Sequence, residues 1–303
     1  MKKIIALMMT LLMVLAMCAC TTTTDTAADA AAEPVQEAAA EETATEEPAE
    51  APATEETVAE EPAAVEAEPV EITVYAATSM TAALTAAADA YMAENPNVTI
   101  LLNFGSSGDL QKQIEAGDAA DIFISAAQNQ MNALSEEGLI DEDSRFDILE
   151  NKLALAIPAG NPAGITSIEQ VCDLLKDGEI LLAMGNSDVP CGQYTQKLFE
   201  YFGVDEAAVA SKLSYGNNVG EVANQVVAGS VDCGFIYHTD AYTYGLEVIE
   251  EATAEMVGGQ VIYPVSILKG AQNPDACAAF LAFLQSDTAA ACFTEVGFTV
   301  LSK

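Results

Sequence analysis

Basic residues are scarce in this chain. Lysine and arginine number 10 of 303 residues against 47 aspartates and glutamates, a formal net charge of −37. Arg145 is the only arginine and His238 the only histidine. Without a basic patch to contact phosphates, nucleic acid is excluded as a partner. With one histidine and no C-x-x-C, a zinc site has no support. No serine or cysteine has an evident histidine to activate it, so a nucleophilic enzyme is not expected, and plentiful carboxylates on so acidic a surface carry little information. Seven cysteines are present. The five after Cys20 are odd in number and irregular in spacing, which is not a disulfide framework. Cys172, Cys233, Cys277 and Cys292 read as small core residues.

Long apolar runs are also missing after the first 20 residues. Lys2 and Lys3 open a short basic region, and the apolar run from Ile4 to Met17 is too short for a span of roughly 20 residues. This is the layout of a secretory signal peptide, residues 1–19. Leu15-Ala-Met-Cys-Ala-Cys20 resembles a bacterial lipobox, with Ala19 before the modified Cys20, which implies a lipid anchor on the extracytoplasmic face of the cell membrane. Residues 20–70 are almost wholly Ala, Glu, Thr and Pro, without an aromatic or basic residue. Such a segment buries too little apolar area to offset its conformational entropy, and it reads as an acidic tether.

From Glu71 the chain alternates strand and helix patterns. Strands are expected at Ile72–Ala76, Val98–Phe104, Asp121–Ser125, Lys152–Ile157, Glu179–Met184, Cys233–Tyr237 and Val261–Leu268. Between them fall helical patterns, among them one after Ser79 with Leu84, Ala88, Tyr91 and Met92 on one face. Another follows the capping box Ser167-Ile-Glu-Gln170, and two close the chain at Pro274–Gln285 and Asp287–Glu295. The alternation predicts an α/β fold of mainly parallel sheets flanked by helices, and about 230 residues suit two lobes better than one.

Four strand-to-helix junctions are rich in small and polar residues: Ala76-Ala-Thr-Ser-Met80, Gly105-Ser-Ser-Gly108, Asp188-Val-Pro-Cys-Gly192 and Asn217-Asn-Val-Gly220. Each places first-turn N–H groups, and two place hydroxyls, where open α/β sheets hold ligands. Capping is the plain reading of Ser79 or Ser107 taken alone. If the ligand is an anion, backbone N–H groups and hydroxyls must hold it, because side-chain cations are so few.

The run Ile72-Thr-Val-Tyr-Ala-Ala-Thr-Ser-Met-Thr81 resembles the opening of the periplasmic molybdate-binding proteins. Phe104-Gly-Ser-Ser-Gly-Asp-Leu-Gln-Lys-Gln-Ile-Glu-Ala-Gly117 and Ala120-Asp-Ile-Phe-Ile-Ser-Ala126 resemble their next two motifs. Val189-Pro-Cys-Gly192, Gly234-Phe-Ile-Tyr-His-Thr-Asp-Ala241, Tyr263-Pro-Val265 and Gly297-Phe-Thr299 follow in the same order. The resemblance spans residues 71–303. It implies a type II-like two-lobed binding protein, with lobe one at 71–152 plus 243–303 and lobe two at 153–242. It further implies a monomer that captures molybdate or tungstate and hands it to an ABC permease and its ATPase, with no cofactor and no catalysis. Ser79 and Ser107 would hold the oxyanion from one lobe; the backbone N–H groups of Cys191 and Val219 and the Tyr237 hydroxyl would hold it from the other. The metal would be met only through its oxygens. Cys191 stands where the family commonly has alanine. Gly108-Asp109 replaces a more hydroxyl-rich turn. Asp109 would favour the helix dipole, or accept a proton from a protonated oxyanion, which would point to phosphate. A sulfate, thiosulfate or phosphate carrier is the alternative within the same class, and a lipid-anchored sensor or enzyme on this fold the alternative outside it.

Overall fold

The computed structural model describes residues 68–301. The signal peptide, Cys20 and all but the end of the tether lie outside the described residues. The first strand, β1, begins at Val70 (Val70–Ala77). It is followed by a 3-10 turn at Thr78–Met80 and by α1 (Thr81–Glu94), whose Leu84, Ala88 and Tyr91 are buried while Met92 is half-buried. Tyr91 meets Phe280 and Phe283 of the C-terminal part of the chain, both with ring centroids 5.1 Å away.

The first sheet also contains β2 (Val98–Gly105), β3 (Ile122–Ile124), β4 (Phe146–Asn151), β10 (Val261–Ile267) and β11 (Thr299–Val300), in the order β11-β4-β10-β3-β1-β2. Its helices include α2 (Ser107–Glu115), α3 (Gln128–Glu136), α9 (Pro274–Phe283) and α10 (Asp287–Glu295). The second sheet has β5 (Leu153–Ile157), β6 (Leu182–Gly185), β7 (Leu213–Gly216), β8 (Cys233–Tyr237) and β9 (Glu247–Glu251), in the order β7-β6-β8-β5-β9. With it go α4 (Ile168–Asp177), α5 (Pro190–Phe202), α6 (Glu206–Val209), α7 (Val219–Val227) and α8 (His238–Tyr244).

This is the two-lobed α/β architecture, but each sheet is mixed rather than mainly parallel. Every antiparallel pairing involves β4, β5 or β10, strands beside the points where the chain passes between the sheets. The pairing of β9 with β5 also moves the lobe boundary expected at 242/243: residues up to Glu251 belong with the second sheet. Cys172, Cys233 and Cys277 are buried as expected. Cys292 is only partly buried, and its Sγ lies 3.5 Å from the Thr288 carbonyl within α10, so it is not a core residue. All five described cysteines are free thiols. Among the described residues, no single helix is long and apolar enough to cross a membrane.

Candidate oxyanion site between the lobes

One small cavity gathers all four junctions. Ala77, Thr78, Ser79, Gly105, Ser106, Ser107 and Ala126 line it from the first lobe; Val189, Pro190, Cys191, Val219 and Tyr237 line it from the second. Its volume is about 10 Å³, on the order of a single water and far too little for a drug-sized ligand. All five residues singled out as anion donors are in its wall.

Neither serine is a helix cap. The turn Thr78–Met80 intervenes before α1, and the N-cap of α1, Met80, makes no side-chain capping bond. The cap of α2 is Ser106, whose Oγ accepts from the Asp109 N–H at 3.1 Å. Ser107 is the first residue of α2, and its Oγ accepts the Ala126 N–H at 3.0 Å. Its own proton is therefore left to donate. Ser79 Oγ lies 2.8 Å from the Tyr263 hydroxyl. Both serines are buried.

The second lobe contributes differently. α5 begins with Pro190, which has no N–H, and its N-cap Val189 makes no side-chain capping bond, so the Cys191 N–H lies in the first turn with its helix dipole uncapped. The Cys191 thiol turns away and donates to the Phe235 carbonyl at 3.4 Å, and burial pushes its pKa well up, so it is neutral. α7 begins with Val219; its cap Asn218 accepts the Glu221 N–H at 3.0 Å and leaves the Val219 N–H outside the cap. Tyr237 is 1 % exposed, and its hydroxyl has no hydrogen-bond partner among the described residues. Burial raises its pKa far above the usual phenol value, with Tyr263, Cys191, Tyr194 and Asp240 adding in that direction, so it remains a protonated donor. An unpaired buried hydroxyl carries a desolvation cost of about 1–3 kcal/mol, which a charged acceptor in the cavity would offset.

The lobes come very close beside the cavity, next to its lining residues Ser107 and Val189. A Cβ on Gly108 would sit 2.2 Å from the Asp188 carbonyl oxygen, so only glycine permits this approach. That gives Gly108 a reason the sequence did not disclose. Lys112 Nζ of α2 meets Asp188 Oδ2 at 2.6 Å. Both are well exposed, and the lysine is already paired rather than available as a ligand. Asp109 is in the first turn of α2 and does not line the cavity, which favours its helix-dipole role over contact with a protonated anion. His238 is the first residue of α8, its Nδ1 2.7 Å from Glu251 Oε1 and outside the cavity wall. Behind the wall lies Asp240, 3 % exposed, with Oδ2 unpartnered; burial pushes its pKa from 3.8 up to about 8 against backbone hydrogen bonds that lower it. Sequence reasoning passed over Asp240, Asn151 and Tyr263; only Asp240 and Tyr263 stood in runs that carried the family resemblance.

Residues 72–299 match the sequence profile of the bacterial extracellular solute-binding proteins. The chain is 32 % identical over 232 residues to YvgL of Bacillus subtilis (strain 168), a candidate ABC transporter substrate-binding lipoprotein, covering 76 % of this chain and 86 % of that one. It is 33 % identical over 237 residues to the molybdate-binding protein ModA of Haemophilus influenzae, covering 77 % and 91 %. Two solved structures share a TM-score of 0.67: the periplasmic molybdate-binding protein of Azotobacter vinelandii (20 % identity, 76 % of this chain and 100 % of that one) and the sulfate-binding protein SubI of Mycobacterium tuberculosis (17 %, 77 % and 88 %). At such identities they report the fold alone, and the fold does not choose between the two anions.

Proposed function

The chain belongs to the bacterial extracellular solute-binding proteins, and from that premise we propose that its inter-lobe cavity captures molybdate or tungstate and delivers it to an ABC permease. Proteins of this family bind substrates for import and are not enzymes. The carrying observation is the Tyr237 hydroxyl, buried and unpartnered among the described residues, in a wall that also holds the Ser79 and Ser107 hydroxyls and two helix starts. Hydrogen bonds to a charged acceptor are roughly twice as strong as neutral ones, so five neutral donors can hold a dianion without a cation. A wall of donors favours a ligand with no proton of its own to place. Molybdate and tungstate meet that condition at neutral pH; hydrogen phosphate does not. Sulfate meets it too and is smaller, so the second reading is a sulfate carrier.

Calorimetric titration of the purified protein with molybdate, tungstate, sulfate and phosphate tests this. Molybdate and tungstate should bind far more tightly than the other two; tighter sulfate or phosphate would overturn the assignment. The anchor on Cys20 is part of the same proposal, and Cys20→Ala should release the protein from the membrane with binding unchanged.

A further inference from the structure

Ser79 is backed by a chain of hydrogen bonds that ends at the crossing between the lobes. Asn151 is the last residue of β4, and a single residue, Lys152, separates it from β5. Its Oδ1 accepts the Lys152 N–H at 2.8 Å, which fixes the orientation of the amide. Its Nδ2 then donates twice, to Thr239 Oγ1 at 2.9 Å in the second lobe and to the Tyr263 hydroxyl at 3.1 Å in the first. An amide nitrogen can only donate. The Tyr263 oxygen is therefore an acceptor in that bond, and its own proton has Ser79 Oγ, 2.8 Å away, as its partner. Tyr263 is fully buried and keeps that proton, because burial raises its pKa well above the phenol range. A register shift in β10 between Tyr263 and Pro264 accompanies the placement, and the Tyr263 ring packs edge-on against Tyr237 at 5.9 Å and Phe298 at 5.2 Å. With the Tyr263 proton on its oxygen, Ser79 has its own proton left for the cavity. Ser107 reaches the same state through the Ala126 N–H.

We propose that Tyr263, oriented by Asn151, is a positioning residue that engages the Ser79 oxygen and aims the Ser79 proton into the cavity, and thereby discriminates fully ionised oxyanions from protonated ones. The inference rests on the oxyanion reading of the cavity. Tyr263 does not line the cavity and so acts through Ser79. Without its hydroxyl, the Ser79 oxygen is free to accept a proton from an anion such as hydrogen phosphate, and the serine proton is no longer aimed.

The test is a double-mutant cycle on the full chain, with molybdate affinity measured by calorimetry and phosphate by competition at neutral pH. Tyr263→Phe keeps the ring contacts, and an unchanged far-UV spectrum checks that it folds. It should weaken molybdate binding by about three- to tenfold, the scale of one hydrogen bond, while phosphate binding holds or improves, so that the selectivity ratio falls. In a Ser79→Ala background, Tyr263→Phe should change molybdate affinity by less than about twofold. A packing role would instead lower both affinities together and add to Ser79→Ala. An unchanged ratio, or additive losses, overturns the positioning role. A wild-type protein that prefers phosphate, or binds neither anion, overturns the oxyanion reading itself, and the inference with it.

Discussion

The two halves of the cavity hold their donors in opposite ways. In the first lobe, both serine oxygens already have protein partners, Ser107 the Ala126 N–H and Ser79 the Tyr263 hydroxyl. That half has its hydroxyls anchored whatever the cavity contains, with their protons left to donate. In the second lobe, Tyr237 has no partner, a buried acid stands behind it with a free oxygen, and α5 begins without a side-chain cap. That half carries unmet polar groups that an anion would satisfy. The difference teaches that the first lobe is a preformed platform, while the second gains most from ligand and from closing onto it.

The comparison breaks most severely if the lobes cannot meet. Gly108→Ala puts a methyl group at the Asp188 carbonyl, 2.2 Å away where contact needs more than 3 Å. We expect molybdate affinity to fall by more than about a hundredfold, which is beyond 2.7 kcal/mol. Ligand-induced compaction in small-angle scattering should be lost, and the thermal midpoint of the ligand-free protein should change little. Normal binding and compaction in this variant would show that the close approach is dispensable.

Removing single donors separates the halves by sign. Ser79→Ala, Ser107→Ala and Tyr237→Phe should each weaken molybdate binding by about one to two orders of magnitude, the cost of a lost donor to a charged acceptor. Their ligand-free stabilities should diverge. Each serine variant strands a buried protein donor, the Ala126 N–H or the Tyr263 hydroxyl, and should lose about 1–3 kcal/mol in denaturant unfolding. Tyr237→Phe removes a hydroxyl that already lacks a partner and should be neutral or stabilising, while compacting less than wild type at saturating molybdate. Equal destabilisation by all three would erase the contrast between platform and moving half.

Asp240 sharpens the contrast through pH. Its folded pKa of about 8 lies above its unfolded value near 3.8, so the folded state holds the proton more tightly. That contribution to stability is fully present below about pH 4 and is lost as pH rises through about 8. The groups it influences, Cys191, Tyr237, Tyr244 and Tyr263, are all pushed toward their neutral forms. Molybdate affinity should therefore weaken as the buried carboxylate ionises, and Asp240→Asn should flatten both profiles. A variant with the wild-type pH dependence would remove Asp240 from this account. The smallest effect belongs to Cys191→Ala: with the thiol turned to Phe235, molybdate binding should stay within about threefold of wild type, and a loss beyond about tenfold, 1.4 kcal/mol, would bring the sulfur into the site.

The cavity wall was largely legible in the sequence because its parts are local. Small and polar residues at four strand-to-helix junctions announce first-turn N–H groups wherever they occur, and the topology brings them together. What was hidden depends on distant partners. Whether Ser79 caps a helix is decided by the turn at Thr78–Met80, and Ser107 is released by its neighbour Ser106 taking the cap. β9, Glu-Val-Ile-Glu-Glu, is not among the strands expected from the sequence; as a strand its acids find distant partners, Glu250 the Ile168 N–H at 2.7 Å and Glu251 both Lys152 and His238. Asn151 is placed by partners far along the chain: besides the adjacent Lys152, its hydrogen bonds reach Thr239 and Tyr263.

The strand order of the first sheet has a consequence for synthesis. β10 lies between β4 and β3 although more than 100 residues of chain separate it from either of them. All five strands of the second sheet, by contrast, fall within residues 153–251. A chain emerging from its N-terminus has every strand of the second lobe in hand before β10 appears. The first lobe must hold the open edges of β3 and β4 until then, and such delayed long-range pairing is slow and exposed to aggregation. The serine half of the cleft, encoded first, is thus the half whose sheet is completed last.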